Sequence, residues 1–94
     1  MEKKSYWIYI LHCDNNSYYT GYTIDLDKRY KSHLNGTGSK YTRSFKPMSI
    51  VFSLKIEGNK SLAMKIERTI KKLSHVQKEK LINCPSLLSD YSLT

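Results

Sequence analysis

Acidic side chains are scarce in this chain: eight Asp and Glu stand against sixteen Lys and Arg, a formal charge of +8 on 94 residues. So few carboxylates argue against a site that needs several of them clustered, as a two-metal hydrolase centre does. Cysteine is scarcer still. Cys13 and Cys84 stand far apart, which gives neither a disulfide framework nor the spacing of a zinc site. Two free thiols in a reducing, cytoplasmic setting are the plain expectation. No long apolar run follows Met1-Glu-Lys-Lys-Ser5, so neither a secretory leader nor a membrane span is expected. Low-complexity tracts and internal repeats are absent, and the length suits one hydrophobic core. What the chain holds in surplus is positive charge. That favours a polyanionic partner, nucleic acid ahead of an anionic membrane.

The most informative stretch runs from Ser17 to Leu34. Ser17–Tyr22 is aromatic and β-favouring. Gly21 is expected to end that strand in a tight turn, or to let the backbone approach a ligand closely. Asp25 can cap a following helix, and Asp27 suits its first turn, where a carboxylate meets the positive end of the dipole. Gly36 is placed to stop it. Leu26, Tyr30 and Leu34 recur every fourth residue as one apolar stripe. Arg29 and His33 share that spacing and fall on one flank of the stripe.

Around this unit the pattern predicts an α+β fold: a small, three-stranded, mostly antiparallel sheet flanked by helices. Tyr6–Leu11 is apolar on both faces and reads as the central strand. Asp14-Asn15-Asn16 is a turn cluster and predicts a hairpin. An odd loop would put Tyr9 and Tyr19 on the same face of the sheet and a two-residue turn would separate them; the odd loop is our expectation. Residues 36–47 read as a basic, glycine-containing connection, and Met48–Ile56 as a third strand. Lys60–Leu73 predicts a helix with Leu62, Ala63, Ile66, Ile70 and Leu73 on one face. Glu67 lies about a quarter turn from the centre of that face. Ser74 and Gln77 form a capping box for a last helix reaching Ile82. A domain over residues 1–83 is therefore expected, with 84–94 as a tail without regular structure, in part disordered.

These residues, in this order, resemble the GIY-YIG nuclease superfamily, specifically its small stand-alone bacterial members. Trp7-Ile8-Tyr9 stands where the first triplet falls and Tyr19-Thr20-Gly21 where the second does. Arg29 and His33 follow on the helix, and Glu67 matches the single metal-binding carboxylate. Ser39-Lys-Tyr-Thr-Arg43 and Ile70-Lys-Lys-Leu-Ser74 look like the stand-alone subgroup. Trp7 replaces the first glycine, Thr20 an aliphatic residue, and Tyr22 a lysine of some relatives. The asparagine that some members carry after the glutamate has no clear counterpart.

The resemblance implies a metal-dependent DNA endonuclease, acting in repair or nucleic-acid processing. Glu67 would hold one divalent cation, Mg²⁺ or Mn²⁺, with waters completing its shell. Arg29 would clamp the scissile phosphate with its planar fork. Tyr9 would serve as general base, which requires a nearby cation because a phenol ionises near pH ~10. Tyr19 would position water or phosphate; His33 would either relay a proton with Tyr9 or contact the phosphate. Lys40, Arg43, Lys46, Lys71 and Lys72 are candidates for contacts to the nucleic-acid backbone. Duplex or branched DNA is the expected partner, RNA the second choice, and a protein partner could supply specificity that so small a chain lacks. Taken singly, each residue has an ordinary explanation: strand aromatics, a solvated helix flank, an i,i+4 pair of Glu67 with Lys71. Their joint occurrence in order favours the site. The competing readings are a non-catalytic nucleic-acid-binding module of the same fold and a structural adaptor whose charge is incidental.

Overall fold

The computed structural model describes residues 4–92. Strand β1 (Ser5–Cys13) is followed by β2 (Tyr18–Thr23), helix α1 (Leu26–Leu34), helix α2 (Lys40–Ser44) and strand β3 (Pro47–Glu57). Helices α3 (Lys60–Lys71) and α4 (His75–Asn83), a 3₁₀ turn (Pro85–Leu87) and helix α5 (Leu88–Ser92) complete the chain. The sheet is antiparallel throughout, in the order β2-β1-β3. The α+β expectation is met, with the aromatic run at its centre.

The β1–β2 hairpin closes over Asp14, Asn15 and Asn16. The Cys13 amide donates to the Ser17 carbonyl, and the Asn16 amide donates to the Cys13 carbonyl, both at 2.9 Å. Asn16 takes the left-handed conformation, φ +62°, which asparagine tolerates better than most residues. The loop is odd, as a type I turn followed by one left-handed residue requires. Leu11 pairs with Tyr19 and Tyr9 with Gly21, so Tyr9 and Tyr19 share a face.

Alternate residues of β1 bury into two layers. Ile8 and Ile10 join Phe52, Ala63, Ile66, Ile70 and Leu81 on one side. Tyr9, Leu11 and Cys13 pack with Tyr19, Leu26, Tyr30 and Ile50 on the other. Each fully buried Ile or Leu is worth roughly 1.5–3 kcal/mol, so β1 anchors both layers. The caps hold as their residue types imply: Asp25 accepts from the Lys28 amide, Asn59 from the Leu62 amide, and Ser74 with Gln77 closes a capping box. Gly36 takes φ +80° just past α1.

Several details depart from expectation. Leu34 and Leu62 lie on the outer sides of their helices and are exposed, so each apolar stripe is shorter than its spacing implied. Residues 36–47 are not all loop: Ser39 accepts from the Thr42 amide and caps α2. The expected structureless tail carries the 3₁₀ turn and α5, and Leu87, Leu88 and Tyr91 pack against the first core layer. Residues 93–94 of that tail lie outside the described residues.

Candidate active site

Tyr9 sits near the middle of the central strand and is 1% exposed. Across from it in β2 stands Gly21. A Cβ built on Gly21 would fall 2.3 Å from the Tyr9 hydroxyl and 2.4 Å from its Cζ. Glycine is therefore needed inside β2 so that the phenol can lie across the neighbouring strand. This corrects the expectation of a strand-ending turn: β2 continues to Thr23, and what approaches Gly21 is the Tyr9 ring. The Tyr19 ring lies beside Tyr9 at 6.5 Å between centroids.

Helix α1 brings Arg29 and His33 to the same place. His33 is no flank residue but is wholly buried. Its Nε2 lies 2.8 Å from the Tyr9 hydroxyl, and its Nδ1 lies 2.7 Å from Thr42 Oγ1. The ring also meets Tyr19 edge-on at 5.2 Å. Burial, reinforced by the Arg29 charge, lowers the His33 pKa from 6.5 to about 4. The imidazole is therefore neutral near pH 7. Burial raises the Tyr9 pKa above the usual phenol value; the Arg29 guanidinium beside it pulls the other way, while Tyr19 and the Glu67 carboxylate push it further up. Arg29 Nε is buried without a hydrogen-bond partner among the described residues. A guanidinium with an unpaired N–H suits an anion.

Glu67 stands on α3, which packs against the opposite layer, and its charge bears on the Tyr9 phenol. Only 6% of it is exposed, although it lies off the centre of the helix's apolar face. Its Oε1 pairs with Lys71 Nζ at 2.8 Å, and that hydrogen bond raises the Lys71 pKa. Among the described residues no group of three or more His, Cys, Asp or Glu could enclose a metal. A single carboxylate does fit Mg²⁺, which dehydrates reluctantly and is commonly held by one or two carboxylates, substrate phosphates and water. Lys71 is thus engaged at Glu67. Lys40, Arg43 and Lys46 are exposed on and after α2, and Lys72 is exposed at the C-cap of α3.

The centre of the cluster is buried, and Arg29 links it to the surface. A cavity of about 370 Å³ beside it is lined by Thr23, Ile24, Asp25, Lys28, Arg29 and Ser32. Another, of about 330 Å³, lies along α3 at Lys60, Ser61, Met64 and Arg68. Three residues at the site were not foreseen. Thr42 holds His33. Gly38 makes room for that ring, since a Cβ there would fall 2.4 Å from Nδ1. Tyr41 stacks on Tyr19 at 5.8 Å. The cap pattern Ser39-x-x-Thr42 was the available signal for α2, but nothing local says that Thr42 faces inward.

The GIY-YIG catalytic domain model matches residues 5–80 of the chain. The chain belongs to the GIY-YIG family. Similar GIY-YIG relatives are the UPF0213 protein of Bacillus velezensis, 44% identical over 82 residues (87% of this chain, 82% of the relative), and that of Clostridium perfringens, 46% identical over 81 residues (86% of each). The solution NMR structure of the UPF0213 protein BH0048 from Bacillus halodurans is 42% identical, covers 84% of this chain and 83% of its own, and superposes with a TM-score of 0.55. The three-stranded antiparallel sheet with its helices is therefore the GIY-YIG fold of these small relatives.

Proposed function

We propose that this GIY-YIG domain hydrolyses phosphodiester bonds in DNA with the help of one divalent cation at Glu67. The observation that supports this most is the meeting of Tyr9, Tyr19, Arg29 and His33, drawn from β1, β2 and α1, with the Glu67 carboxylate close enough to influence the Tyr9 phenol. Arg29 binds the scissile phosphate with its guanidinium, whose Nε has no protein acceptor among the described residues. Tyr9 takes a proton from the attacking water once it is a phenolate. Glu67 alone works against that phenolate; a divalent cation held by Glu67, Mg²⁺ or Mn²⁺, would supply positive charge that reverses the effect. Both ring nitrogens of His33 already have partners, which favours proton relay with Tyr9 over direct phosphate contact. Tyr19 orients the water or a phosphate oxygen. Lys40, Arg43, Lys46 and Lys72 add contacts to the backbone that carry no sequence information.

The test is incubation of pure protein with labelled duplex, branched and single-stranded DNA, with Mg²⁺ or with chelator. Cleavage should require the metal. Glu67→Ala and Arg29→Ala should each reduce it by about 10²-fold or more while salt-sensitive binding persists. Tight, salt-sensitive binding with no cleavage of any substrate would leave the binding-module reading in its place.

A further inference from the structure

We propose that Thr42 is a positioning residue: its hydroxyl holds the proton of His33 on Nδ1, so that Nε2 faces Tyr9 as a hydrogen-bond acceptor. The inference rests on the reading of Tyr9 as the base, and it concerns a residue outside the constellation described above.

The argument is one of donors and acceptors along a buried line. Tyr9, His33 and Thr42 are 1%, 0% and 2% exposed, so water does not complete their hydrogen bonds. The contacts run from the Tyr9 hydroxyl to Nε2 at 2.8 Å and from Nδ1 to Thr42 Oγ1 at 2.7 Å. Thr42 Oγ1 continues to Ser39 Oγ at 2.9 Å and lies 3.4 Å from the Ser39 carbonyl oxygen. Either direction of donation satisfies the middle of this line, and the two ends decide between them. At one end the Arg29 guanidinium lies against the Tyr9 hydroxyl. It can only donate, so the phenol oxygen accepts there and directs its own proton to Nε2. At the other end the Ser39 carbonyl, 3.4 Å from Thr42 Oγ1, can only accept and offers the Thr42 proton a place away from the ring. Thr42 then offers Nδ1 a lone pair, and a neutral imidazole must carry its proton on Nδ1. The Gly38 backbone closes that side of the ring, because even a Cβ would collide with Nδ1. Among the described residues Thr42 Oγ1 is the acceptor that Nδ1 reaches.

The consequence for the chemistry is specific. When Tyr9 gives up its proton, the O–H bond breaks and an Nε2–H bond forms, leaving a phenolate and an imidazolium; burial opposes both charges, so the transfer depends on positive charge beside Tyr9 to hold the phenolate. The imidazolium keeps its Nδ1–H bond to Thr42. In the opposite tautomer Nε2 already carries a proton and cannot take another. The charged and titratable groups facing His33 are Tyr9 from β1, Tyr19 from β2 and Arg29 from α1; α2 contributes the uncharged Thr42.

The experiment is long-range proton–nitrogen NMR of the His33 ring near pH 7 in the full chain, without metal or DNA. Wild type should show a protonated Nδ1 and a bare Nε2. The Nε2–H tautomer in wild type overturns the proposal without any variant being made. Thr42→Val should shift the ring toward the Nε2–H tautomer, and Thr42→Ser should restore the wild-type pattern. A folded Thr42→Val protein with an unchanged tautomer also overturns it. In cleavage assays Thr42→Val should lower kcat about tenfold or more with little change in KM, and Thr42→Ser should recover most of it. A tautomer shift with wild-type kcat would remove the link to catalysis. Wild type that cuts nothing would instead defeat the nuclease reading, while the NMR result would still decide the tautomer.

Discussion

Tyr9 is confined from several sides: Gly21 lies under its ring, His33 is bonded to its hydroxyl, and Arg29 stands beside it. The tightest of these constraints is steric. Gly21→Ala should cost about 1–3 kcal/mol, the usual penalty for overfilling a packed site, and denaturant unfolding would measure it. Shortening the ring in Tyr9→Ala should relieve most of that added cost, so the two changes should couple strongly in a double-mutant cycle. His33 makes a prediction about pH. Its pKa is 6.5 when unfolded and about 4 when folded. Between those values the unfolded chain binds the extra proton, so stability is full above pH 6.5 and is lost as pH falls through 4. The loss amounts to about 3 kcal/mol at about 1.4 kcal/mol per unit. Urea midpoints at pH 7 and pH 4 should fall further apart in wild type than in His33→Gln; equal drops would show that another group carries the acid sensitivity. The candidacy of Tyr9 and Glu67 for the site was readable as a pattern of residue types. The burial of His33 was not, because helical spacing places a residue on a flank without saying which neighbour will cover that flank.

At the scale of elements, α2 matters more than its five residues suggest. A helix this short has little stability of its own. It is held by the Ser39 cap and by the inward Thr42 contact. Removing the cap with Ser39→Ala should cost about 1 kcal/mol. Amide exchange should then quicken at Thr42 and its neighbours while β1 stays protected. The basic, glycine-containing composition of 36–47 concealed this helix, since propensity over so few residues is a weak signal. The end of the chain misled for a similar reason. Pro85 stops α4 as expected, but the apolar residues after it find a core face that no local pattern announces. By contrast the hairpin was legible from its turn residues, and its odd loop settled the shared face of Tyr9 and Tyr19.

For the whole molecule, a charge of +8 means that any binding to nucleic acid should weaken as salt rises. Lys40→Ala, Arg43→Ala and Lys46→Ala should each lower affinity similarly for all sequences, and each should reduce the salt slope by about one. Lys71→Ala should behave differently, because it releases the Glu67 carboxylate as well as removing a charge. Titrations at several salt concentrations would separate the two kinds of cation. None of the described helices is long and apolar enough to cross a membrane.

By itself the sequence determined the elements and the inventory: a doubly apolar central strand, a hairpin, capped helices, and one acidic residue among cations on a helix. Those features follow from local spacing and turn chemistry, which need no knowledge of distant neighbours. Tertiary structure alone decided that Gly21 yields its space to a tyrosine and that His33 is buried between two hydroxyls. Each of these depends on which surfaces meet once β1 is covered on both faces, and residue spacing carries no record of that.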